Sequence, residues 1–145
     1  MLTLKKKQPL RIGIISDTHI WTHYAVKRTV VHNGANINVR LLDLLNILTT
    51  FVNYVIDNDI KYVVHCGDVF ESTDPNEEVR KYFNEYFLMP LIKAKVEVFI
   101  VMGNHDQKTT ANTNLANLAG IFDLLGNVHL IRSPETFDIM GYTLH

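Results

Sequence analysis

Three short runs rich in β-branched residues, 11–16, 62–66 and 96–102, show little of the polar alternation of a half-solvated strand, and each stops on a polar signature. Near-continuous apolar runs of this length belong to strands of a parallel sheet covered on both faces. The signatures are Asp17-Thr18-His19, Gly67-Asp68 and Gly103-Asn104-His105-Asp106. In an open α/β sheet, ligands bind beyond the carboxyl ends of the strands, so signatures far apart in sequence converge at one sheet edge. There they assemble carboxylate, imidazole and amide groups, a donor set suited to divalent metals and phosphate chemistry.

Between these runs the chain alternates strand and helix patterns. Residues 20 to 38, with Trp21, His23, Tyr24, Asn33-Gly34 and Asn36, show no clean period and read as a long loop. From Asn38 to about Asn58 the dense apolar pattern predicts a helix whose apolar surface is wider than one sheet contact requires. Asp74 as cap, Pro75 at the first helical position and Glu77 as capping-box acid predict a second helix, ending or kinking near Met89-Pro90. A polar loop should follow Asp106, then a helix over 114–125 stopped by Gly126, a strand at 128–131, and a further strand near 136–140 that turns back at Gly141. This order predicts an α/β fold with a mainly parallel sheet, right-handed crossovers and helices on its faces.

The 145 residues make one domain at most, and 47% apolar with 20% charged residues is ordinary for a soluble globular protein. A formal net charge of -1 provides no global attraction to nucleic acid, so any DNA contact must be local or metal-assisted. The single cysteine, Cys66, excludes an internal disulfide framework and a thiolate zinc cluster, and reads as a small buried residue at a strand end in a reducing compartment. The apolar stretch from Leu10 to Ile15 is too short for a signal-peptide core or a membrane span, so no membrane association is expected. The expected location is cytoplasmic, or nuclear in a eukaryotic host.

Asp17 and His19, two residues apart, project to one side of an extended stretch and can hold one ion through oxygen and nitrogen. Asp68 is placed to bridge two cations, and Asn104 offers its carbonyl oxygen to the second. His105 can donate a proton or hydrogen bond to charge developing on phosphate. Asp106 either orients a ligand from behind or caps the loop. His65 and His129 read as packed structural histidines. Trp21 and His23 are placed either to contact DNA by base stacking or to anchor the loop. Lys5 to Lys7 read as a solvated tail. Two divalent ions are implied, manganese by default, with ferrous iron or zinc also compatible with oxygen and imidazole donors.

These motifs, with Gly67-Asp68-Val69-Phe70 followed closely by Pro75, resemble the first three motifs of the calcineurin-like metallophosphoesterases, and within them the SbcD-type DNA repair exonucleases and their phage relatives. The resemblance spans about residues 11 to 131. It implies a four-layer α/β/β/α sandwich, a dinuclear manganese site and hydrolysis of DNA phosphodiesters by a metal-held water. By motif, it assigns Asp17 and His19 to the first metal, Asp68 to the bridge, Asn104 to the second metal and His105 to the transition state. It also implies a homodimer, for which the helix at 39–58 offers an apolar face, and an SbcC-like coiled-coil ATPase partner. The later histidines of the family pattern, including a Gly-His-x-His pair, have no counterpart after His105, so residues 1–145 are expected to be the N-terminal portion of a single metallophosphoesterase domain. The competing readings are a phosphoesterase acting on cyclic nucleotides or nucleotides, and a non-catalytic scaffold of the same fold that binds a protein.

Overall fold

The computed structural model describes residues 9–22, 28–103, 106–109, 112–113 and 126–144. Strand β1 (Ile12–Ile15) leads into the first signature. The segment read as a loop then contains an antiparallel hairpin, β2 (Thr29–His32) and β3 (Ala35–Asn38). Asn33 and Gly34 both adopt left-handed backbone, φ 51° and 81°. A two-residue Asn-Gly connection of this kind has the twist that antiparallel strands need. The signal was present in the sequence, between Val30-Val31 and Ile37, but asparagines and a histidine blur the alternation around it.

Helix α1 (Val39–Asp57) starts where the side chain of Asn38 accepts from the Arg40 amide at 2.9 Å. Leu41, Leu45, Leu48, Val52 and Val55 are buried at spacings of three and four residues, a single stripe laid on the sheet. Full burial of each contributes roughly 1.5–3 kcal/mol. The excess apolar width seen in the sequence lies outward, at Ile47, Tyr54 and Ile56. By length and composition α1 would suffice to cross a membrane, yet its buried row packs into the core cluster of the domain.

After β4 (Tyr62–His65), helix α2 (Glu77–Phe83) begins later than expected, because Asn76 rather than Asp74 is the cap. The Asn76 side chain accepts from the Val79 amide at 2.9 Å, while Asp74 lies 3.7 Å from Arg80. Pro75 therefore precedes the cap instead of opening the helix. Nor does the helix stop at Pro90: a π turn (Asn84–Leu88) links α2 to α3 (Met89–Lys93). Proline lacks an amide hydrogen and its ring clashes with the carbonyl four residues back, and a widened turn just before it relieves both problems. The continuous rod also keeps Phe83 and Phe87 stacked at 5.2 Å, with Phe51 of α1 against Phe87 at 6.2 Å.

β5 (Glu97–Val101) follows, then a small antiparallel ribbon, β6 (Gln107–Thr109) with β7 (Asn112–Thr113), where a polar loop was expected. The helix expected at 114–125 lies outside the described residues. β8 (Val128–Ile131) and the hairpin β9 (Phe137–Ile139) and β10 (Tyr142–Leu144) match expectation. His129 is structural, as read: its Nε2 lies 2.8 Å from Glu97 and its ring forms a three-way cluster with Phe99 and Phe137, which also touch each other, joining the hairpin to the sheet.

Four of the strands form one all-parallel sheet in the order β1-β4-β5-β8. Because each strand is added on the same side of the last, right-handed crossovers place α1 and the α2–α3 rod on the same face, where α1 touches the π turn. Helices on both faces are therefore not observed among the described residues. The opposite face carries the β9–β10 hairpin only in part, and Ile14 remains 66% exposed. Cys66 faces outward as well, contrary to the buried reading. Side chains alternate along a strand, so once His65 is turned into the core its neighbour must point away.

Candidate metal centre

The sequential strand order puts the carboxyl ends of β1, β4 and β5 side by side, and each carries one signature. The β1–β4 pairing does not stop with the strands. Amide hydrogens of Asp17, His19 and Ile20 donate to the carbonyls of Gly67, Asp68 and Val69 at 3.1, 3.1 and 2.9 Å, and Ile20 bridges Phe70. The first two signatures are thus joined by backbone hydrogen bonds over four residues. Asp17, His19 and Asp68 all hold left-handed backbone, φ 52°, 42° and 52°. Such conformations cost of order 1–3 kcal/mol each in non-glycine residues and persist where surrounding structure enforces them.

The result is a cluster in which one ligand atom from each of Asp17, His19 and Asp68 lies within 4.8 Å of the others. Two carboxylates held this close repel unless a cation or proton lies between them. With an imidazole beside them and no sulfur, the set fits a hard or borderline divalent ion. Asp17 is exposed and the other two are half-buried, so the cluster opens to solvent and to a ligand. Ser16 donates its hydroxyl to Asp17, limiting that carboxylate's freedom.

The Asp106 side chain turns to backbone amides of two signatures. It is fully buried, and its carboxylate accepts backbone hydrogens from Asp68 at 2.8 Å, Val69 at 3.1 Å and Gly103 at 2.9 Å. One side chain therefore fastens the second signature to the third. Burial pushes its carboxyl above the usual range, while the three N–H donors pull it the other way. Asn104 and His105 lie outside the described residues, but Gly103 and Asp106, which bracket them, are both held against Asp68. His23 also lies outside the described residues, and Trp21, two residues beyond His19, is half-buried.

His65 is the core histidine expected, and it does more than fill space. The Thr18 hydroxyl donates to the Val69 carbonyl at 3.0 Å, so it accepts from His65 Nε2–H, also at 3.0 Å. Nδ1 then accepts the Gly67 amide hydrogen at 3.3 Å, which fixes a neutral tautomer. Phe83 and Phe87 meet the ring edge-on at 6.4 and 5.8 Å. Burial in this apolar setting lowers the His65 pKa from 6.5 to about 4, against the pull of Asp17 and Asp68. A group whose folded pKa is depressed gives stability that is whole above its unfolded pKa and is lost as pH falls to the folded value. Between pH 6.5 and 4 the domain should therefore lose about 3 kcal/mol through this one residue. Urea midpoints measured across that range for the wild type and for His65→Phe check this: the variant should lack this part of the slope.

Sequence reading missed two contributors. Thr18 was passed over as the spacer of Asp17-Thr18-His19, and Glu71, just beyond Gly67-Asp68-Val69-Phe70, carried no motif. In the fold, Glu71 Oε2 lies 2.9 Å from His19 Nδ1. Only the pairing of the two signatures brings it there.

The model of the calcineurin-like phosphoesterase family matches residues 10–143. The chain belongs to this family. Its parallel sheet with helices on one face is part of the α/β sandwich of metallophosphoesterases, and the Asp17, His19 and Asp68 cluster occupies the edge where the first two motifs meet. Among curated proteins, it is similar to the DNA double-strand break repair protein Mre11 of Thermoplasma acidophilum, 27% identical over 117 residues. That match takes in 80% of this chain and 27% of the relative, so the chain spans about a quarter of that protein's length.

Proposed function

We propose that this phosphoesterase hydrolyses DNA phosphodiesters with manganese, as an SbcD-like repair or recombination nuclease, and that residues 1–145 form the N-terminal portion of a single metallophosphoesterase domain. The observation that carries the reading is the convergence of Asp17, His19 and Asp68, all in strained backbone, at one sheet edge. Likeness to a DNA double-strand break repair protein favours DNA over other phosphodiesters. Ferrous iron or zinc would suit the same donors. A homodimer, an SbcC-like coiled-coil ATPase partner and a cytoplasmic or nuclear location belong to the same reading.

Two divalent ions, when bound, supply a nucleophile at neutral pH and neutralise charge on the reacting phosphate. Asp17 and His19 would hold one ion, Asp68 would serve both, and Asn104 would hold the other. His105, carried on the segment that Asp106 fastens to Asp68, would donate to the developing charge or the leaving oxygen. Trp21, half-buried and two residues beyond His19, would stack on a base, and His23 would extend that contact. Asp106 would act only through the backbone it holds.

The test is release of nucleotides from end-labelled duplex DNA with manganese, beside manganese uptake by the same chain. Asp68→Asn should weaken manganese uptake by more than the roughly 100-fold that loss of an outer partner costs, and chelator should remove the activity. Survival of both uptake and nuclease activity in Asp68→Asn would overturn the dinuclear assignment. Turnover of cyclic nucleotides in place of DNA would assign the chain to the competing phosphodiesterase reading, and binding of a protein with no turnover would assign it to the scaffold reading.

A further inference from the structure

We infer that Thr18 and His65 are positioning residues for the metal centre: the hydrogen bond between them, made on the buried side, keeps Asp17 and His19 set against Asp68. The inference rests on the metal-centre reading and adds to it two residues that are not ligands. Thr18 stands between the two ligands of the first signature. Its side chain is buried, 8% exposed, whereas Asp17 is open to solvent and His19 half-buried. Asp17 and His19 both hold left-handed backbone, φ 52° and 42°. Non-glycine residues keep such conformations only where surrounding structure enforces them, and the residue between the two is where that enforcement acts.

Backbone pairing supplies part of it. The amides of Asp17 and His19 donate to the carbonyls of Gly67 and Asp68, both at 3.1 Å, which fixes how far along the second signature the first one lies. Bonds along one edge leave the segment free to tilt about that edge. Thr18 adds contacts from its side chain: the hydroxyl donates to the Val69 carbonyl and accepts from His65 Nε2–H, both at 3.0 Å. His65 Nδ1 in turn accepts the Gly67 amide hydrogen at 3.3 Å, so residues 65, 67 and 69, which surround Asp68, all meet at this pair. The His65 ring is fully buried, with Phe83 and Phe87 edge-on to it. A satisfied buried network of this kind specifies one arrangement. Loss of the hydroxyl has no easy remedy. Nε2–H would then lack its acceptor in a buried place, and moving the ring proton to Nδ1 would set it against the Gly67 N–H. Either outcome shifts the backbone that carries the ligands.

Two readouts test this in the chain as it stands. Thr18→Val keeps the branched shape and removes only the hydroxyl. Manganese affinity, read from the electron paramagnetic resonance of free ion, should fall roughly 10- to 100-fold in Thr18→Val and in His65→Phe, and Thr18→Ser should recover most of that loss. Because the two residues act through one bond, the double variant Thr18→Val/His65→Phe should bind manganese little worse than either single variant. In metal-free protein with labelled histidine, at a pH where imidazole is neutral, long-range proton–nitrogen spectra should show the Nε2–H form for the signal that His65→Phe removes. Urea unfolding is recorded beside each titration. A lowered midpoint with wild-type manganese affinity in both single variants would reduce the pair to packing and overturn the role. An Nδ1–H tautomer in the wild type, or losses that multiply in the double variant, would overturn it as well, with the metal centre left standing. Should Thr18→Val fail to fold, the affinity of His65→Phe, which keeps Thr18, decides the question. Failure of the wild type to take up manganese would overturn the metal centre itself, a separate result.

Discussion

Gly103→Ala is expected to abolish divalent-metal binding and lower the melting temperature, although it adds only a methyl group. A Cβ at this position would lie 2.8 Å from Asp68 Cγ and closer still to the Asp68 amide nitrogen and Oδ1. The neighbour in the way is partly backbone, and a flexible side-chain end could not simply swing clear. Asp68 is tied on one side to His19, whose amide donates to its carbonyl, and on the other to Asp106. The methyl group must therefore displace a carboxylate of the metal cluster or push apart the loops after β4 and β5. Overpacking of this kind costs about 1–3 kcal/mol, a shift of roughly 5–10 °C in a domain of this size. Manganese titration and thermal unfolding of the variant are the measurements. Wild-type affinity with a lowered melting temperature would mean that the loop yields without moving Asp68.

Asp106→Asn should be the most damaging conservative substitution near the centre. Oδ2 accepts the amide hydrogens of Asp68 and Gly103, and Oδ1 accepts that of Val69. An asparagine has one carbonyl oxygen, so in either orientation its NH2 group confronts at least one of these N–H donors in a fully buried place. An unsatisfied buried donor costs about 1–3 kcal/mol, and the hydrogen bonds that remain lose their ionic partner. A loss of about 2–4 kcal/mol in urea unfolding is expected, with weakened manganese uptake because Asp68 and Gly103 are no longer held together. An unchanged urea midpoint would show that the three amides find other partners.

Both predictions concern residues that the sequence marked only as neighbours of the obvious ligands. Gly103 and Asp106 bracket Asn104-His105 in a recognisable string, yet nothing in the string says that one must make room for Asp68 and the other must hold it. The pairing of β4 with β5 decides that. Similarly, both Asp74 and Asn76 are good helix caps, and the choice between them depended on where Val79 and Phe83 could reach the core. The π turn before Pro90 arises where proline chemistry meets the need to keep Phe83 and Phe87 stacked, a condition invisible to local pattern.

The sequence by itself determined the strands of the parallel sheet, their α/β order, and the two signatures that place Asp17, His19 and Asp68 at strand ends, because these depend on local residue type and on short-range period. Only the tertiary structure decided which face the helices cover, that Cys66 points outward, that His65 and Thr18 hold the first two signatures together, and that Glu71 comes close to His19. Those features follow from strand order and register, which bring together residues 47 to 52 positions apart, and no local pattern records a distance across the chain.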